Sequence, residues 1–143
     1  MLIVVDDYSR KTWVFVLRHK FDAVVRIMQL IALIEKETGK RIKQVRTDKS
    51  MEFCSELLNE FCMNEGIVRH RTSANESQHV AELMSITLLE TAHKMLSSAG
   101  MARRFLADAL STASYLMNRS PSTAIGYRIP EEVWSGNVAD YFI

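Results

Sequence analysis

The chain has 143 residues, enough for one compact domain with a core of its own. Apolar residues make up 48%, too many for a disordered chain, yet no apolar run reaches the roughly 18 residues of a membrane span. The net charge of +1 gives no bulk field toward nucleic acid, but it is unevenly spread: +5 over residues 1–50, −4 over 51–100 and 0 over 101–143. A basic first third suits phosphate contacts and suits a solvated surface equally well. The opening Met1–Val5 is too short, and too quickly followed by acids, for a signal peptide. The expected setting is nuclear or cytoplasmic, not secreted. Cys54 and Cys62, eight positions apart, make neither a disulfide framework nor a zinc knuckle.

In chain order, Met1 to Val5 and Trp13 to Leu17 are short apolar runs rich in β-branched and aromatic residues. The polar stretch Asp6 to Thr12 between them predicts an antiparallel hairpin. A strand that starts at residue 1 leads us to expect that the domain lacks an element upstream. Phe21, Val24, Val25, Met28, Ile31, Leu33 and Ile34 recur at helical spacing, and Gly39 is suited to a left-handed cap. Ile42 to Arg46 reads as a third strand, with Thr47-Asp48-Lys49-Ser50 at its carboxyl end. Leu57, Leu58, Phe61 and Cys62 mark one face of a helix from about Ser55 to Asn64, closed by Gly66. Ile67 to His70 is a short strand, and the polar Thr72 to His79 a mobile loop. Helices follow from about Val80 to Ser98 and Ala102 to Asn118, then a docking turn with Pro130 and Trp134. The order β-β-α-β-α-β-α-α is that of a mixed α/β domain, taken as one domain over residues 1–143.

Asp48, just past a strand end, projects from a rigid edge, where site residues are often placed. Glu82 opens the long helix after the polar loop. Two such carboxylates suit a divalent cation that keeps some of its waters. On these residues alone, Asp48 reads more readily as a turn or cap residue, and Glu82 as a first-turn acid favoured by the helix dipole. Trp13, Phe15 and Trp134 read as packing or as stacking platforms. Met84, Met95, Met101 and Met117 read as core filler, and the cysteines as inert thiols near a helix core face. His79 reads as a solvated loop residue or a phosphate neighbour. Arg103 and Arg104 open a helix where the dipole disfavours them, as surface residues or toward an acidic partner.

One ordered set of residues runs through nearly the whole chain. It comprises Val5-Asp6-Asp7-Tyr8-Ser9-Arg10-Lys11-Thr12-Trp13-Val14, Thr38-Gly39-Lys40-Arg41-Ile42-Lys43, and Arg46-Thr47-Asp48 with Glu52-Phe53. Phe61-Cys62, Gly66-Ile67, Val80-Ala81-Glu82, Thr87-Leu88-Leu89-Glu90, Met95-Leu96 and Ala99-Gly100 continue it. It ends in Ala113-Ser114-Tyr115-Leu116-Met117-Asn118-Arg119-Ser120-Pro121 and Pro130-Glu131-Glu132-Val133-Trp134. This set resembles the integrase catalytic core of copia-type retrotransposons. The resemblance implies a ribonuclease H-like fold, a mixed sheet flanked by helices. It also implies a D-D-E carboxylate triad holding two Mg²⁺ or Mn²⁺ ions, which activate water or a DNA 3′-hydroxyl for attack on a phosphodiester. By that match Asp48 is the second aspartate and Glu82 the glutamate, both catalytic and both metal ligands. The first aspartate belongs to a strand upstream of the counterpart of Met1–Val5. The chain is therefore expected to lack the first strand of the fold, and Asp6 and Asp7 match a turn instead.

Several positions depart from the family pattern. Lys49-Ser50-Met51 stands where Asn-Gly-Gly is usual. The loop Ala74 to His79 is two residues shorter than its counterparts and lacks their proline and glycine, leaving 33 residues between Asp48 and Glu82. Leu83 and Met84 stand in a helix segment that is basic in the family, and are expected either to pack inward or to form an exposed apolar patch. Lys49 and Lys94 are the cations left to meet DNA phosphate. Two functions are thus expected. One is an integrase core-like domain of a retrotransposon polyprotein, tied to DNA integration and nucleic-acid binding, working in a homo-oligomer. The other is an inactive, repurposed fragment serving as an interaction or weak DNA-binding module. Lacking the first aspartate, the polypeptide alone is expected to be inactive.

Overall fold

The computed structural model describes residues 1–48, 55–71 and 79–142. They fall into two compact units, Met1–Val16 with Val80–Ile143, and Leu17–His79. The fold is mixed α/β, with helices and two small sheets.

In the first unit, β1 (Leu2–Val5) and β2 (Thr12–Phe15) form an antiparallel hairpin with Leu2 opposite Phe15 and Val5 opposite Thr12. The second strand is shorter than expected and starts one residue earlier. The turn is held by Asp6, whose carboxylate accepts hydrogen bonds from the Ser9 N–H (2.8 Å) and hydroxyl (2.7 Å). This Asx-type bonding is why an aspartate starts the turn. Arg10 takes the left-handed conformation (φ 62°) that completes it. The helices of this unit are α3 (His79–Ala99), α4 (Leu106–Asn118) and the short α5 (Pro130–Ser135). Leu88, Ala92 and Leu96 of α3 meet Ala109, Leu110 and Ala113 of α4, with Ile3 and Val14 of the hairpin packed against them. The three alanines let the helices and hairpin approach closely. The expected docking turn is α5, with Pro130 at its first position, where a missing N–H costs nothing. A 3₁₀ turn, Arg103–Phe105, precedes α4, which begins four residues later than expected.

In the second unit, α1 (Asp22–Thr38) buries Ala23, Val24, Ile27, Leu30, Ile31 and Ile34 and packs with α2 (Ser55–Glu65), whose Leu58 and Cys62 are buried. Gly39 ends α1 at φ 66°, donating its N–H to Glu35 O, a position only glycine occupies freely. The Ile42 N–H then donates to the Glu35 carboxylate (3.0 Å), tying the exit segment to the helix. The strands β3 (Gln44–Thr47) and β4 (Val68–Arg71) pair in parallel, Thr47 opposite Arg71. Both begin later than their hydrophobic runs suggested, because Ile42 is drawn into the α1 exit and Ile67 closes α2 by donating to Cys62 O (2.8 Å). Among the described residues no helix is long and apolar enough to cross a membrane.

Candidate active site

The carboxyl end of β3 is fixed from two sides. Arg69 of β4 donates from Nε to Thr47 Oγ1 (3.1 Å) and from Nη1 to Asn59 Oδ1 of α2 (2.7 Å). One guanidinium therefore ties β3, β4 and α2 together, using the fork geometry that lysine lacks. Burial, and then the nearby charge of Arg71, lower the proton affinity of Arg69. Thr47 is buried and Asp48, the next residue, is exposed. The carboxylate expected as a site residue thus stands just past an anchored strand end, as the sequence suggested. Lys49, the cation expected beside it, lies outside the described residues, as do Cys54 and the polar loop through Gln78.

Glu82 is exposed in the first turn of α3. Beside it the two expectations for Leu83 and Met84 divide. Met84 packs against the α3–α4 core, whereas Leu83 is 61% exposed and Ile86, one turn on, 54%. Lys94 is exposed on the same helix. Twelve residues of α-helix place it about 18 Å along the axis from Glu82 and about 120° around it, so the helix does not bring the two together. Asp48 belongs to the second unit and Glu82 to the first. Among the described residues no three His, Cys, Asp or Glu side chains are grouped to hold a metal.

The remaining candidates have mostly structural positions. Trp13 and Trp134 meet edge to face at 5.1 Å between ring centroids. Lys11 lies over both rings and is paired with Glu131 at 3.1 Å, so this cluster pins α5 to the hairpin. Met95 and Met117 pack against the core, but Met101, expected there, is 47% exposed, because Gly100 ends α3 just before it. Cys62 is buried, and burial raises its thiol pKa while Arg69 opposes the rise. Arg103 and Arg104 are exposed, the latter over the Phe105 ring. Two anchoring residues carried no signal in the sequence. Arg69 looked like one more basic residue of a short strand, and Asn118 like the end of a helix. Asn118 is buried, and its amide accepts from the Thr12 N–H and donates to the Thr12 carbonyl, each at 2.8 Å.

Over 140 residues, 96% of its length, the chain is 40% identical to the retrovirus-related Pol polyprotein from transposon TNT 1-94 of Nicotiana tabacum. In three dimensions it is similar to the HTLV-2 integrase catalytic core domain in complex with magnesium, with a TM-score of 0.69 at 18% identity, over 92% of this chain and 81% of that one. The chain has the integrase catalytic core fold and is homologous to a segment of a copia-type Pol polyprotein. A chain of the simian T-cell lymphotropic virus intasome in complex with the PP2A regulatory subunit B56 gamma is also similar. Its TM-score is 0.72 at 16% identity, over 92% of this chain and 46% of that one. No family model matches the chain. This integrase-core segment spans 10% of the tobacco polyprotein's length. Within it, residues of the resemblance make specific contacts at the hairpin turn, at the strand end before Asp48, between Thr12 and Asn118, and between Lys11 and Glu131.

Proposed function

We propose that the chain is the part of a retrotransposon integrase core that supplies the second aspartate and the glutamate of a D-D-E site, Asp48 and Glu82. The observation carrying this reading is the placement of Asp48 one residue beyond Thr47, whose hydroxyl and strand are held by Arg69. A metal ligand must be positioned to within fractions of an ångström, and a strand end tied to a neighbouring strand and a helix meets that need. Exposed carboxylates are hard oxygen donors suited to Mg²⁺ or Mn²⁺, and magnesium is named with the HTLV-2 core that this fold resembles. When bound, such ions stabilise the charge of a phosphodiester under attack and activate the attacking oxygen. In this reading Lys49 and Lys94 meet DNA phosphate. In this reading a further aspartate completes the D-D-E set, and the chain works within a larger, oligomeric assembly in the nucleus or cytoplasm. Residues 1–143 act as one domain in it.

The test is a Mn²⁺ titration followed by electron paramagnetic resonance. Binding is expected at millimolar ion, weakened severalfold or more by either Asp48→Asn or Glu82→Gln. A flat titration up to roughly 10 mM, a concentration that fills even millimolar sites, removes the metal-site reading for this chain.

A second reading is favoured by Leu83 and Ile86, both exposed on the helix that carries Glu82. Adjacent exposed apolar side chains suit protein contact better than phosphate contact. In this reading the chain is an inactive interaction or weak DNA-binding module. Its DNA affinity is then indifferent to Glu82→Gln, and strand-transfer activity that depends on Glu82 would exclude it.

A further inference from the structure

The loop that leads into α5 carries a residue in an unfavourable conformation. Gly126 and Tyr127 are consecutive left-handed positions, with φ of 66° and 64°. Glycine takes this conformation freely, whereas a side chain there crowds its own backbone. Packing could offset that penalty, but Tyr127 is 73% exposed. A strained residue with so little burial to offset its cost is a mark of function. The loop around it is firmly held. Ser122 N–H donates to Arg128 O (3.0 Å), Tyr127 N–H donates to Ser122 O (2.8 Å), and the buried Ile125 anchors the turn between them.

Tyr127 lines a cleft of about 360 Å³ together with Pro121, Arg128, Ile129, Glu132 and Val133. That volume lies within the roughly 300–1,000 Å³ of ligand clefts. Two opposite charges line it, Arg128 on the loop and Glu132 on α5. Each is tied to the main chain on one side: Arg128 Nε donates to Ile125 O (2.9 Å), and Glu132 Oε1 accepts from the Ala139 N–H (3.0 Å). Among the described residues they form no ion pair, with each other or with any other side chain. The other guanidinium N–H groups and the second carboxylate oxygen are left for a ligand.

We infer that this cleft docks an extended segment of a partner polypeptide, one that presents an apolar side chain between an acidic and a basic residue. The cleft is open to solvent and not enclosed, so a chain can enter and leave across it. The apolar side chain lies against Tyr127, Ile129 and Val133, the acid meets Arg128 and the base meets Glu132. Opposite charges at one apolar site set the direction and register of the segment. The Glu132 carboxylate repels phosphate, which disfavours a nucleic acid here. So small a contact gives affinity in the millimolar range. The inference does not depend on the metal-site reading, and its test involves no metal.

The experiment follows the backbone amide signals of the full chain by NMR during titration with acetyl-Glu-Leu-Lys-amide and with acetyl-Lys-Leu-Glu-amide, each to about 10 mM, enough to fill a millimolar site. One of the two is expected to saturate, with shifts concentrated in residues 121–133. The neutral acetyl-Gln-Leu-Gln-amide is expected to bind about twofold to fivefold more weakly, the size of an exposed charge contact. Glu132→Gln keeps an acceptor for the Ala139 N–H and removes the charge, so it weakens the charged peptide and leaves the neutral one unchanged. Tyr127→Gly weakens both peptides about fivefold or more, as loss of an aromatic anchor does. Its thermal midpoint holds or rises, because the left-handed strain is gone. The inference is overturned if neither charged peptide shifts these amides, or if Tyr127→Gly binds like the wild type. Equal affinity for charged and neutral peptides in the wild type also overturns it. A Tyr127→Gly chain that loses stability assigns the ring to the fold and does the same. Shifts at these amides with a short oligothymidine but not with the peptides give the cleft a nucleic-acid occupant and equally overturn the polypeptide assignment.

Discussion

The two small sheets of this chain are built on opposite terms. The β1–β2 hairpin is local, with six residues between its strands, apolar side chains and core packing. The outward N–H and C=O of Thr12 are met by one buried amide, that of Asn118. The β3–β4 pair is parallel, which obliges the chain to cross over through α2. It carries Gln44, Arg46, Val68 and His70 exposed on one side, while its other side is fixed by Arg69. The hairpin is thus held by packing and the parallel pair by charged hydrogen bonding, and Asp48 is displayed at the end of the latter. A strand end meant to present a carboxylate to solvent cannot also be buried in apolar contact, so a polar clamp takes the place of packing.

Two intrinsic probes report the units separately. Both tryptophans, Trp13 and Trp134, lie in the first unit, and the buried Cys62 lies in the second. The largest effect is expected from Asn118→Ala. It strands the buried Thr12 N–H without a partner, while the Thr12 carbonyl keeps the Ser114 hydroxyl at 3.2 Å. An orphaned buried donor and a small cavity together cost about 2–3 kcal/mol. Denaturant unfolding followed by tryptophan fluorescence should move to a correspondingly lower midpoint. An unchanged midpoint would mean that the amide is dispensable and that packing alone holds the hairpin.

Much of this architecture was legible in the sequence for physical reasons. The helix α1 and its Gly39 stop, the polar hairpin turn and the position of Asp48 after a strand all follow from local rules, and the structure has each, but of the helical face read from the sequence Phe21, Val25 and Leu33 are exposed while Ala23, Ile27 and Leu30 are buried. The strand boundaries did not follow, because Ile42 and Ile67 are apolar residues used to close neighbouring helices and not to extend strands. Asn118 and Arg69 were illegible for a related reason. Each acts on a residue far away in sequence, and nothing local distinguishes a buried asparagine at a helix end from an exposed one. The turn before α4 was misread as helix because the arginine pair and Phe105 have adequate helix propensity, while the preceding left-handed Gly100 resets the chain direction.

A smaller effect is expected from Arg69→Met in the parallel pair. The change removes charged hydrogen bonds to Thr47 and Asn59 but keeps most of the side chain's length and apolar volume. The site is partly exposed, and water replaces some of what is lost, so a cost of about 1–2 kcal/mol is expected. Thiol labelling of Cys62 under native conditions should accelerate, while the tryptophan-monitored transition moves less. Equal movement of both probes would show that the two units unfold together and that the contrast between them is one of construction alone.

The smallest effect is a pH dependence carried by Cys62. Its thiol pKa is raised from the usual value of 9.0, first by burial and against the opposing charge of Arg69. The folded chain thus holds its thiol proton more tightly than the unfolded chain does. Below the unfolded value both states carry the neutral thiol, and the contribution to stability is fully present. As pH rises past that value the unfolded chain releases its proton first, and the contribution is lost progressively up to the folded value. Wild-type stability should therefore fall between about pH 8 and pH 10 more steeply than that of Cys62→Val, which has nothing to ionise. Arg69→Met removes the attraction that moderates the shift and should steepen the wild-type slope further. If Arg69→Met flattened it instead, the charge of Arg69 would not reach the thiol, and the clamp that presents Asp48 would be electrostatically separate from the buried face of α2.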